Sequence, residues 1–180
     1  MKVKTLFFAA LVVVLTSSCS KKVYFNSQMQ ETLEVADIPV SGLQFYNDDK
    51  IVLKRKLKSA TTKVESGTVQ LKDGEYIHFL ILNKKTPGVC KKMNDDELNI
   101  AFESGDGKFL KFKRIKGKDL SREYELILDG PNSSTASPKV IYDGMEYFVH
   151  QGKDVRLMVE RDDVSKVKVK KDRMKGVKIR

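Results

Sequence analysis

Apolar residues recur at every second position through much of this 180-residue chain. In KIVLKRKLK, Ile51, Leu53 and Leu57 fall on one side and Val52, Lys54, Lys56 and Lys58 on the other. Leu98, Ile100 and Phe102 alternate in the same way, as do Tyr124, Leu126 and Leu128, and then Val155, Leu157 and Val159. Successive side chains of a β-strand point to opposite faces, so this period specifies half-buried strands. No long stretch carries the stripe of an amphipathic helix. EYIHFLIL, Glu75 to Leu82, is apolar at both parities. That pattern predicts a central strand covered on both faces.

Turn chemistry separates the runs: Asp73-Gly74, Gly105-Asp106-Gly107, Asp129-Gly130-Pro131 and Asp143-Gly144. VIYDGMEYFV is the clearest hairpin, because Asp-Gly accepts the positive φ of a type I′ turn. PNSSTASP, Pro131 to Pro138, reads as a polar loop. About nine or ten short strands at this spacing predict an all-β domain, an antiparallel sandwich or barrel. VQLKDGEYIHF and VIYDGMEYFVH both place Asp-Gly ahead of Glu-Tyr and an apolar strand, aligned after a one-residue shift. They are either two related small β units or two hairpins alike only in kind.

Composition divides the chain into residues 1–18, 19–36, 37–163 and 164–180. The first segment opens with Lys2 and Lys4, continues as LFFAALVVVL and ends in LTSSCS. The apolar run is too short to span a bilayer, which takes roughly 20 residues, and has the length of a signal-peptide core. Leu15, Thr16, Ser17, Ser18 and Cys19 resemble the lipobox of bacterial lipoproteins, although Thr16 stands where that family prefers Leu. The resemblance implies cleavage after Ser18, a diacylglycerol on the Cys19 thiol and a further acyl chain, such as palmitate, on its amine. An ordinary secretory signal cut near Ser18 and an uncleaved anchor are the alternatives. By analogy with enteric lipoproteins, Ser20, Lys21 and Lys22 in place of an Asp point to the outer membrane. The absence of an acidic cluster there favours the periplasmic face. Residues 19–36 read as a tether to the β-rich domain 37–163.

Of the two cysteines, Cys90 is left alone if Cys19 is acylated, and reads as a buried small hydrophobe, with a partner-linking thiol or an incidental cysteine as the alternatives. The net charge of +10 is uneven, because residues 161–180 hold nine Lys or Arg against three Asp. Within 164–180, Lys166, Lys168, Lys170, Lys171, Arg173, Lys175, Lys178 and Arg180 form a basic strand or tail. Lysines on an edge strand block aggregation. They also fit an anionic surface, where each contributes about 1 kcal/mol. Lys84, Lys85, Lys91 and Lys92 flank Thr86-Pro87-Gly88 in what reads as a basic loop, either facing an anion or partner or serving as a turn with solubilising charges.

Catalytic signals are sparse. His78 and His150 are the only histidines, and neither has a partner at metal-ligand spacing. HExxH, CxxC, P-loop, GxSxG and dinucleotide-binding patterns are absent. Asp48-Asp49, Asp95-Asp96-Glu97 and Asp162-Asp163 read as solvated turns rather than paired catalytic carboxylates. No cofactor or metal is expected. The partners expected are a bilayer through Cys19, then anionic lipid, lipopolysaccharide or acidic glycan, or an envelope protein. Nucleic acid is disfavoured by the envelope address and the lack of stacking aromatics in the tail. The sequence therefore reads as a non-enzymatic envelope binding or structural module. The alternatives are a subunit of a secretion or transfer assembly and, third, a glycan or cell-wall enzyme.

Overall fold

A computed structural model describes residues 21–58, 64, 66–115, 122–129, 137–165 and 167. The first strands in chain order are β1 (Lys22–Tyr24), β2 (Gln44–Asn47), β3 (Ile51–Lys56), β4 (Thr68–Lys72), β5 (Glu75–Leu82) and β6 (Pro87–Met93). They continue as β7 (Glu97–Ala101), β8 (Leu110–Arg114), β9 (Tyr124–Leu126), β10 (Lys139–Tyr142), β11 (Met145–Gln151) and β12 (Leu157–Glu160). Two helices join them, α1 (Ser27–Val35) and the short α2 (Arg161–Ser165), with a single 3-10 turn at Val40–Gly42. The strands form two sheets, ordered β1-β12-β2-β6-β7-β8-β9 and β10-β11-β3-β5-β4, and every named pairing is antiparallel. The architecture is an all-β sandwich.

The alternation sets the layers. Leu110 and Phe112 of β8 are buried while Lys111 and Lys113, which alternate with them, are exposed. Ile51, Leu53, Leu98, Ile100, Leu126, Leu157 and Val159 join them in one core. Phe25, fully buried, is its aromatic hub, with Phe45 edge-on at 5.2 Å and Tyr124 at 5.5 Å between ring centroids.

Phe25 lies in the stretch expected to be a tether. From residue 21 to 36 that stretch is built into the sandwich. β1 pairs with β12, Val23 opposite Val159. Asn26 caps α1 by accepting the Met29 amide at 3.0 Å, and Leu33 is fully buried. An N-cap of this kind contributes about 1 kcal/mol, enough to tip a nine-residue helix that tertiary packing then holds. The helix shows no stripe because Met29 and Leu33 alone carry its apolar contact with the core.

Two further expectations are corrected. Pro87–Met93 is a strand, not part of a basic loop, and with β1 it accounts for the excess over the expected strand number. Pro87 takes the first position of its strand, where a missing amide does least harm. β5 is next to the sheet edge, not central, and its outer face is open, with Ile81 53% exposed. A two-layer sandwich covers one face of each sheet, so apolarity at both parities did not buy a second cover.

The Asp-Gly turns behave as expected. Asp143 and Gly144 have φ of 52° and 68°, and Asp73 and Gly74 have 50° and 78°. Both hairpins lie against β3, from opposite sides. Lys54 faces Phe148 on one side and Phe79 on the other, a one-residue offset in distance from the two turns.

Candidate functional site

Among the described residues, those singled out by charge do not converge. Lys84 and Lys85 occupy the turn after β5, with Lys85 at φ 63°. That turn is held by the buried Asn47, whose Nδ2 donates to the carbonyls of Asp49 and Asn83, both at 2.7 Å, and whose Oδ1 accepts the Thr86 amide at 2.9 Å. Lys91 and Lys92 are exposed near the far end of β6. Six residues of strand set the two pairs roughly 20 Å apart, so they do not form one anion-facing loop. Cys19, Lys166, Lys168, Lys170, Lys171, Arg173, Lys175, Lys178 and Arg180 lie outside the described residues.

The acidic pairs are structural. Asp48 accepts the Arg156 amide at 2.8 Å, and the Arg156 guanidinium also donates to Glu123 at 2.6 Å and to the Tyr24 hydroxyl at 2.9 Å. This tie locks β1 in place. Asp95-Asp96 makes the β6–β7 turn, with Asp96 paired to Arg114. Asp162-Asp163 opens α2 rather than a turn. Cys90 is buried, and burial pushes its thiol pKa up. His150 is exposed. Among the described residues no His, Cys, Asp and Glu group is placed to hold a metal, and no helix is long and apolar enough to cross a membrane.

His78 is different. It is buried on the inner face of β5, in a polar chain that the sequence did not reveal. Arg55 Nε donates to the Tyr147 hydroxyl at 3.0 Å, and that hydroxyl donates to His78 Nδ1 at 3.1 Å. His78 Nε2 then donates to the Ser66 carbonyl at 2.5 Å. Burial first, and the nearby Arg55 charge as well, lower the His78 pKa, against a raising contribution from the Ser66 carbonyl. A neutral ring with the proton on Nε2 fits both bonds. Ser66 Oγ carries the chain onward, donating to Glu103 Oε1 at 3.2 Å. Tyr142 donates to the same oxygen, and burial and that carboxylate together raise the Tyr142 pKa, keeping it a neutral donor. Lys108 Nζ stands 3.9 Å from that same Oε1.

Glu103 and Tyr142 line a cleft of about 290 Å³ at the mouth between the sheets. Its walls include Leu53 and Leu80 from one sheet and Phe102 and Leu110 from the other side. Gly67 shapes its edge. It adopts φ +90°, and a Cβ there would collide with the Phe79 carbonyl and lie 2.6 Å from His78 Nε2. Only glycine lets Ser66 reach both His78 and Glu103.

Sequence reasoning missed Glu103, Tyr142, Tyr147, Arg55 and Ser66. Their partners lie from 12 to 92 positions apart, so no local motif joins them. The one available signal was a histidine inside an apolar strand. What the arrangement offers is a semi-enclosed apolar cleft with one fixed carboxylate. No protein-family model, curated protein or solved structure matches this chain.

Proposed function

We propose that this chain is a lipid-anchored envelope protein, a non-enzymatic β-sandwich module held on the outer membrane by acylated Cys19, on its periplasmic face. In this reading the basic segment 164–180 contacts the anionic surface of the same membrane. One observation carries the reading: the strand that enters the fold and the helix that leaves it lie side by side. Lys22 is registered opposite Glu160, and the Arg161 amide donates to the Lys21 carbonyl at 3.0 Å. Lys22 Nζ is 3.6 Å from Glu160 and stacks 4.1 Å above the Tyr46 ring.

Cys19 is two residues before Lys21, a span of at most roughly 7 Å of extended chain. A lipid at Cys19 therefore brings this edge of the sandwich to the headgroups without a long tether. The basic segment departs from the same edge. Acyl chains plus a polybasic segment make two membrane signals, and two signals hold where one is marginal.

The test separates the signals. Intact mass of the membrane-fraction protein should show acyl additions that Cys19→Ser abolishes. Purified Cys19→Ser protein should float with anionic vesicles at low salt, and not with neutral ones. Replacing the Lys and Arg residues of 166–180 by Gln should remove that binding. An unacylated product, or equal recovery with neutral vesicles, refutes the corresponding half.

A second reading, a subunit of an envelope assembly, is favoured by the edge strand β4. Each of its five residues is exposed, Val69 and Leu71 included. An unpaired edge is a template for strand addition. A large complex in gentle detergent that survives neutralising the tail would support it.

A further inference from the structure

We infer that the cleft between the sheets binds a small apolar molecule carrying an ammonium head, with Glu103 as its counter-ion. The site is separate from the membrane-facing edge, and the inference stands or falls independently of the anchor.

Size comes first. A cavity of about 150 Å³ lined by aliphatic and aromatic side chains accepts a benzene ring. The cleft is about 290 Å³, so it admits a body on the order of a dozen non-hydrogen atoms. Its walls are apolar, with Ile51, Leu53, Leu80, Leu110 and Phe102 contributing. An apolar body gains by leaving water for such a surface.

Charge chooses the head. The net charge of the chain is +10, yet Glu103 is the one formally charged side chain among the described residues lining the cleft, and its ion-pair partner Lys108, 3.9 Å away, is not part of that lining. Tyr142, the other ionisable group there, stays neutral because burial and Glu103 raise its pKa. An anionic head would meet the carboxylate and be repelled. A cationic head replaces water with an ion pair in a partly desolvated place, where the attraction is stronger than in bulk solvent.

Hydrogen bonding then fixes the geometry. Ser66 Oγ, Tyr142 and Lys108 Nζ all approach Glu103 Oε1. A carboxylate has about four acceptor positions on two oxygens. Ser66, Tyr142 and Lys108 are all placed on Oε1, so a ligand N–H would be received at Oε2. Two donors on Oε1 hold the carboxylate still, so little side-chain freedom is lost on binding. The same donors link it through Ser66 to His78 and Tyr147, which ties the carboxylate to both hairpins of the five-stranded sheet.

The experiment uses the purified full chain and three probes of one shape: phenethylamine, phenethyl alcohol and phenylpropionate. Binding is read from saturable NMR shifts of the Leu53, Leu80 and Leu110 methyl groups. Phenethylamine is expected to bind at least about tenfold more tightly than phenylpropionate, with the alcohol between them. In Glu103→Gln the ammonium preference should vanish while the alcohol binds nearly as before. Equal affinity for the acid and the amine overturns the inference, as does the absence of saturable shifts with every probe. Should Glu103→Gln fail to fold, the ranking of the three probes on the unaltered protein still decides.

Discussion

The two hairpins that flank β3 share their turn chemistry and differ in their fate. β4–β5 and β10–β11 each close on Asp-Gly with both residues at positive φ, and each lays its second strand antiparallel to β3. On the inner face of β10, Val140 is 3% exposed and Tyr142 8%. On the same face of β4, Val69 is 37% exposed and Leu71 64%. The difference lies opposite the hairpins, not within them. The β7–β8 connection reaches β10, where the Asp143 amide donates to the Gly107 carbonyl at 3.1 Å. β4 overhangs the other sheet, and among the described residues Ser66, just before it, donates to Glu103 of that connection. A hairpin can thus be specified locally while its burial is specified by a segment distant in sequence.

Four tests probe this contrast. Gly67→Ala should have the largest effect, on the order of 3 kcal/mol of stability, because it combines left-handed backbone strain with a collision against the Phe79 carbonyl. Urea unfolding measures the loss. A cost below about 0.5 kcal/mol would mean that the approach of Ser66 to His78 and Glu103 is not constrained by glycine.

Val140→Ala should cost about 2 kcal/mol and Leu71→Ala less than about 0.5, although leucine is the larger side chain. Equal costs would show that β4 is covered in solution, by a partner or a second copy. Gly74→Ala and Gly144→Ala should each cost about 1 kcal/mol, since both need positive φ and neither position has a neighbour within 4 Å. A large gap between these two would break the local equivalence of the turns.

The smallest effect is on pH dependence. The folded-state pKa of His78 is below its ordinary value, chiefly by burial, so the unfolded chain binds the proton first. Stability should therefore be full above about pH 6.5 and decline as pH falls below it toward the lowered folded-state pKa. His78→Gln should flatten that part of the curve. An unchanged slope would place the titration elsewhere.

Strand alternation and Asp-Gly turns made the sandwich legible, because a period of two and a left-handed turn are local properties. α1 was not legible. Nine residues with two core contacts present no stripe, and its clearest signal was the cap at Asn26. β6 was obscured by lysines at both ends, which marked its solvent exposure and not its conformation. EYIHFLIL misled in the opposite direction, since its outer residues face solvent. The cleft was beyond reach for a different reason. Glu103 sits in an unremarkable AFESGDG segment, and only the meeting of a strand edge, a hairpin and a connection gives its carboxylate a role.

The pairing of β1 with β12 also sets an order of events. Tyr24 finds its register partner in Met158, so nearly the whole domain must be synthesised before the first strand has anything to bond to. β2 depends on the same late arrival, because β12 lies between it and β1. Closure of so long a loop is slow, and an unpaired strand waiting for it is exposed to wrong partners. The five-stranded sheet can assemble around β3 in the meantime, apart from β10 and β11. The seven-stranded sheet is completed at its N-terminal edge only when the last strand arrives, so the edge that the proposed function turns toward a membrane is also the last to fold.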